Sequence, residues 1–114
     1  MSTLTLEGLG VPLRALRLLA VDFGHLPAPE IDVSTIYPDQ LALRFHDDLH
    51  GFEAWRAALS VAPDAVELRA QGGGRTWRLE ADADYGGARV YLVGYAAVPP
   101  GTVVHADALS AVAS

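Results

Sequence analysis

Apolar and polar residues change period along this chain, and each change marks an element. From Pro12, the apolar positions Leu13, Leu16, Leu19, Ala20 and Phe23 recur at spacings of three and four, one stripe of an α-helix. Arg14 and Arg17 fall on the other face. Pro12 suits a first helical turn, where its missing N–H is not needed. Gly24 suits the residue past the last turn, and Pro27 and Pro29 bar continuation. The preceding stretch, 1–10, reads as a frayed lead-in or a short edge strand.

The period then drops to two. Over 30–36, Ile31, Val33 and Thr35 point one way, and Glu30, Asp32 and Ser34 the other. Tyr37-Pro38-Asp39-Gln40 is a turn with φ fixed by proline. Over 41–46, Leu41, Leu43 and Phe45 oppose Ala42, Arg44 and His46, so the two strands form an antiparallel hairpin. A second helix follows, capped by Asp47 or Asp48. Leu49, Phe52, Trp55 and Leu59, with Ala58, make its buried stripe, while Glu53, Arg56 and Ala57 face water. Pro63 ends it.

Three further strands run as a meander. Val66, Leu68 and Ala70 alternate with polar residues up to the turn Gly72-Gly73-Gly74. Trp77, Leu79, Ala81 and Ala83 alternate with Arg78, Glu80, Asp82 and Asp84 up to Tyr85-Gly86-Gly87. The last strand, 88–98, is apolar on both faces: Val90 and Leu92 on one, Tyr91, Val93 and Tyr95 on the other. Such a strand is covered on both sides, either by a central place in the sheet or by a partner. The expected fold class is α+β, in the order α-β-β-α-β-β-β. About five antiparallel strands carry both helices packed on one face. The domain spans 1–98. Beyond it, Pro99-Pro100-Gly101 opens a tail over 99–114 that is either a short helix or disordered.

Composition narrows the chemistry. The 114 residues hold eight basic side chains, all arginine, and no cysteine. Thiol nucleophiles, Schiff-base amines, a P-loop lysine and cysteine-ligated zinc are thereby excluded. The net charge of −6 and the scattered arginines argue against a nucleic-acid partner. No apolar run is long enough to cross a membrane, and residues 1–10 lack the pattern of a signal peptide. The cytoplasm is the expected compartment.

Four groups could carry function. His46, Asp47 and His50 have spacing compatible with a shared metal if one helix holds both imidazoles, but His46 belongs to a strand end and there is no HExxH pattern. Glu80, Asp82 and Asp84 share a strand face about 7 Å apart, yet Glu67, Arg69 and Arg78 on that face suggest ordinary cross-strand ion pairs. The loop Gln71 to Arg75 is glycine-rich but joins two strands, so it lacks the helix N-terminus of a phosphate loop. Arg75 could still touch an anionic partner. Tyr91, Val93 and Tyr95 mark an interaction patch of an interface-enriched type if they face out; the alternative is that helix 1 or the tail covers them. An edge position for that strand would also permit sheet extension between two copies.

No nucleophilic triad is visible around Ser34, Ser60 or Ser110. The favoured expectation is therefore a non-enzymatic protein–protein interaction or regulatory domain, homodimeric, with no cofactor, acting through Tyr91, Val93, Tyr95 and Arg75. The alternative is a small-ligand or metal-binding domain, possibly enzymatic, built on His46, Asp47 and His50. A DNA-binding regulator using Arg14 and Arg17 is opposed by the charge.

Overall fold

The computed structural model describes residues 4–97. The expected tail over 99–114, Val98 and the first three residues lie outside that part. The fold is α+β. A 3-10 turn, Leu6–Leu9, leads into α1, Gly10–Asp22; then come β1, Glu30–Val33, and β2, Gln40–His46. After α2, Leu49–Ala58, and a 3-10 turn at Pro63–Ala65, the chain forms β3, Glu67–Gln71, β4, Thr76–Tyr85, and β5, Ala88–Ala97.

The sheet has five strands in the order β1-β2-β5-β4-β3. It is mixed, which corrects the expectation of a purely antiparallel sheet. Neighbours pair antiparallel except β2 and β5, which run parallel, with Leu41 opposite Val90 and Leu43 opposite Leu92. The reason is chain direction. Helix α2 carries the chain back to the end where β2 began, so β3 starts in the direction of β2. Two hairpins later β5 points the same way, and docking β5 on β2 is then necessarily parallel.

Local chemistry sets the boundaries. Asp48 caps α2, its Oδ1 accepting from Gly51 N at 2.9 Å. Asp47 just before it takes the left-handed conformation at φ 52°. Helix α1 begins at Gly10, ahead of Pro12, because the 3-10 turn already shapes its entrance. Its buried line is Pro12, Ala15 and Leu19, so Leu13, expected inside, is 37% exposed. The first strand is shorter than expected. The chain leaves the sheet after Val33 through a bend in which Ile36 N–H bonds Ser34 Oγ at 3.1 Å, and Ile36 is 76% exposed.

Both helices pack on the face formed by Leu41, Leu43, Phe45, Val90, Leu92, Leu79 and Ala81. Phe52 of α2 meets Phe45 edge to face at 6.1 Å and crosses Gly94, where an added Cβ would sit 3.1 Å from the ring. Burying such an aromatic side chain stabilises the fold by roughly 1.5–3 kcal/mol. Trp55 is anchored at its polar end, since Nε1 donates to Pro27 O at 2.7 Å. This fixes the 23–29 loop against α2. With both helices on one face, the opposite sheet face has no covering helix among the described residues.

Candidate functional site

The uncovered face is built by the alternate residues of β2, β5 and β4 that point away from the helices. Register arranges them in cross-strand rows. One row reads Glu30, Arg44, Val93, Glu80, Glu67; the next reads His46, Tyr95, Arg78, Arg69. A third reads Asp32, Ala42, Tyr91, Asp82. Charged and aromatic side chains on such a face interact mainly with cross-strand and diagonal neighbours.

Tyr91 holds the centre. Its hydroxyl donates to Glu80 Oε1 at 2.7 Å and accepts from Arg78 Nη2 at 3.1 Å. Arg78 Nε also lies 2.8 Å from Glu80 Oε1. Its N–H is not aimed along that line, so the contact is an ion pair, and this buried N–H has no hydrogen-bond partner among the described residues. Arg69 Nε approaches the other Glu80 oxygen at 3.8 Å, extending the network toward β3. Burial pushes the Tyr91 phenol above its usual range; the bond to Glu80 adds to the rise and Arg78 opposes it. The bond to Tyr91 in turn raises Arg78, with burial opposing. At neutral pH Tyr91 is a neutral phenol bridging a guanidinium and a carboxylate.

Tyr95 is flanked by Arg78 on one side and His46 on the other. The Arg78 guanidinium lies 5.8 Å from its ring centroid. The His46 imidazole stacks on it, the ring centroids 5.2 Å apart and the planes nearly parallel at 14°. His46 Nε2 lies 3.1 Å from Glu30 Oε2, and Arg44 pairs with Asp32 at 3.3 Å. Val93, between Arg44 and Glu80 in its cross-strand row, is 1% exposed although no helix among the described residues covers it. Next to Tyr91 the face dips into a hollow of 540 Å³ into which Arg44, Arg78, Asp82 and Tyr37 open.

The expected interaction residues are therefore divided. Tyr91, Val93 and Tyr95 share this face of β5, with the two tyrosines half-buried and Val93 buried beneath. Arg75 stands apart, exposed at the tip of the β3–β4 hairpin beside Gly72, Gly73 and Gly74, whose φ values are all positive. β5 is central, between β2 and β4, so sheet extension between copies through β5 is ruled out.

The expected metal residues are separated as well. His46 ends β2 and engages Glu30 and Tyr95, Asp47 lies in the connection, and His50 is exposed in the first turn of α2. Among the described residues no three His, Asp or Glu side chains form a metal-holding group. Glu80 is committed to Tyr91, Arg78 and Arg69, while Asp82 and Asp84 are exposed. Sequence reasoning missed Arg44 and Arg78 as the cations that frame the tyrosines. Their alternation put them on a polar face, but it takes the β4–β5 register to set Arg78 opposite Tyr95, and the β2–β5 register to bring Arg44 opposite Val93, diagonal to both tyrosines.

No helix among the described residues is long and apolar enough to cross a membrane. Comparison with protein-family models, with curated proteins and with solved structures finds no match to this chain.

Proposed function

We propose that this chain is a non-enzymatic protein-interaction domain that docks through the uncovered sheet face, and that its first partner is a second copy of itself. The observation that carries the reading is the Tyr91–Tyr95–Arg78–Arg44 patch, which spans the central strand β5 and its two neighbours, β4 and β2, at the centre of that face. Tyrosine and arginine are the residue types that anchor protein interfaces, through large contact area and directed hydrogen bonds. The hollow beside Tyr91 offers a protruding side chain a seat between two guanidinium groups. Acids and arginines interleave on this face, and a two-fold dimer needs one patch that complements itself. The polar groups already bond each other, so the free surface is presented in order and little is lost on docking.

Sedimentation equilibrium from micromolar to millimolar protein tests this reading. The expected result is a dimer that dissociates in the double variant Tyr91→Ala, Tyr95→Ala and in Arg78→Glu, with the circular dichroism of each retained. A monomer at every concentration removes the self-association. Variants that dimerise like the parent chain move the interface elsewhere.

A further inference from the structure

On the other side of the sheet, α1, the 23–29 loop and β1 line an open cleft of 180 Å³. Its walls are carbon: Leu16, Leu19 and Phe23 of α1, Ile31 and Leu43 of the sheet, and Trp55 of α2. The one side-chain donor in this lining, Trp55 Nε1, already bonds Pro27 O at 2.7 Å. Pro27 and Pro29 stiffen the loop wall, so the space is preformed. A sealed apolar cavity of about 150 Å³ takes up benzene, so an apolar space of this size, here open at one side, suits a single ring.

We infer that this cleft is a binding site for one small, uncharged aromatic molecule, of the size of toluene or indole. Volume sets the size. The absence of a free polar side chain in the lining sets the charge, because a buried carboxylate or ammonium would find no partner there. The aromatic preference follows from Phe23 and Trp55, whose rings meet edge to face at 6.0 Å and 70°. A third ring entering the cleft extends that edge-to-face cluster. Ile31 is 45% exposed at the rim and leaves an entrance on the β1 side. The inference does not depend on the docking reading, since the two sites lie on opposite faces of the sheet.

Titration of isotope-labelled protein with toluene, indole and benzoate, followed by amide and indole N–H spectra, tests it. Toluene and indole are expected to give saturable shifts at the Trp55 indole N–H and at the Ala20 and Ala28 amides, with the Trp77 indole unmoved. Benzoate is expected to bind at least about tenfold more weakly, given the cost of burying its charge. Ala20→Leu fills the cleft from a helical position that favours leucine, and is expected to abolish the shifts. Absence of saturable shifts with both neutral probes overturns the inference. So does equal binding of benzoate, or undiminished binding to the leucine variant. Should that variant fail to fold, the contrast between Trp55 and Trp77 in the parent chain still decides.

Discussion

Gly94 is the residue on which the packing of α2 turns. It lies on the most central strand, and its missing side chain lets Phe52 approach, with Cδ2 at 3.1 Å and Cγ at 3.4 Å from where a Cβ would stand. Its φ is not in the left-handed region, so the glycine answers to space rather than backbone conformation. Interiors are close-packed and transmit such intrusions to their neighbours. Gly94→Ala is therefore expected to destabilise the fold by about 1–3 kcal/mol, read from the urea midpoint. Pairing it with Phe52→Leu is expected to cost less than the sum of the two single changes, because the smaller side chain yields the space that the new methyl takes. Strict additivity would show that the cost of the new methyl does not arise at the Phe52 ring.

Among the elements, β5 joins the core to the candidate surface, because Leu92 faces the helices while Tyr91 and Val93 face outward. The raised Tyr91 phenol makes that surface visible in stability measurements. The folded chain holds this proton more tightly than the unfolded chain does. Its contribution is thus fully present below the ordinary tyrosine value of about 10 and is lost as pH rises through the higher folded value. The parent chain is expected to lose stability relative to Tyr91→Phe as pH climbs above that ordinary value. Urea midpoints of the two proteins measured side by side check this, and a constant gap would show that folding does not perturb the phenol. The two-faced pattern of β5 was legible in the sequence because apolar and aromatic residues stand on both of its faces. The second helix was legible too, since its stripe and its Asp48 cap are local. Leu13 was misplaced because α1 carries leucines around most of its circumference, and spacing alone cannot choose which of them dock. The rows on the open face were not legible. Arg44 and Tyr95 are far apart in sequence, and only the pairing of β2 with β5 makes them neighbours.

For the whole molecule, that pairing also dictates where stability resides. β5 bonds β4 along its whole length from Ala88 to Ala97 and β2 from Arg89 to Tyr95, whereas β1 has four residues paired on one side only. Local opening begins where few buried contacts and single-sided hydrogen bonds hold the chain, and reaches the global limit at the centre. The slowest-exchanging amides are therefore expected in β5 and in the residues of β2 and β4 bonded to it. Those of β1 and β3 are expected to exchange by local fraying. Hydrogen exchange followed by NMR measures this ordering directly, and the same experiment separates two ways in which copies could associate. Docking through the open face leaves the outer backbone groups of β1 exposed to solvent, so protection there stays low as concentration rises. Pairing through the β1 edge would bond those groups and raise their protection with concentration. It would also set Glu30 and Asp32 of one copy against those of the other, which like-charge repulsion disfavours. Low, concentration-independent protection of both edge strands, β1 and β3, in a protein that sediments as a dimer would thus exclude sheet extension and favour the tyrosine face.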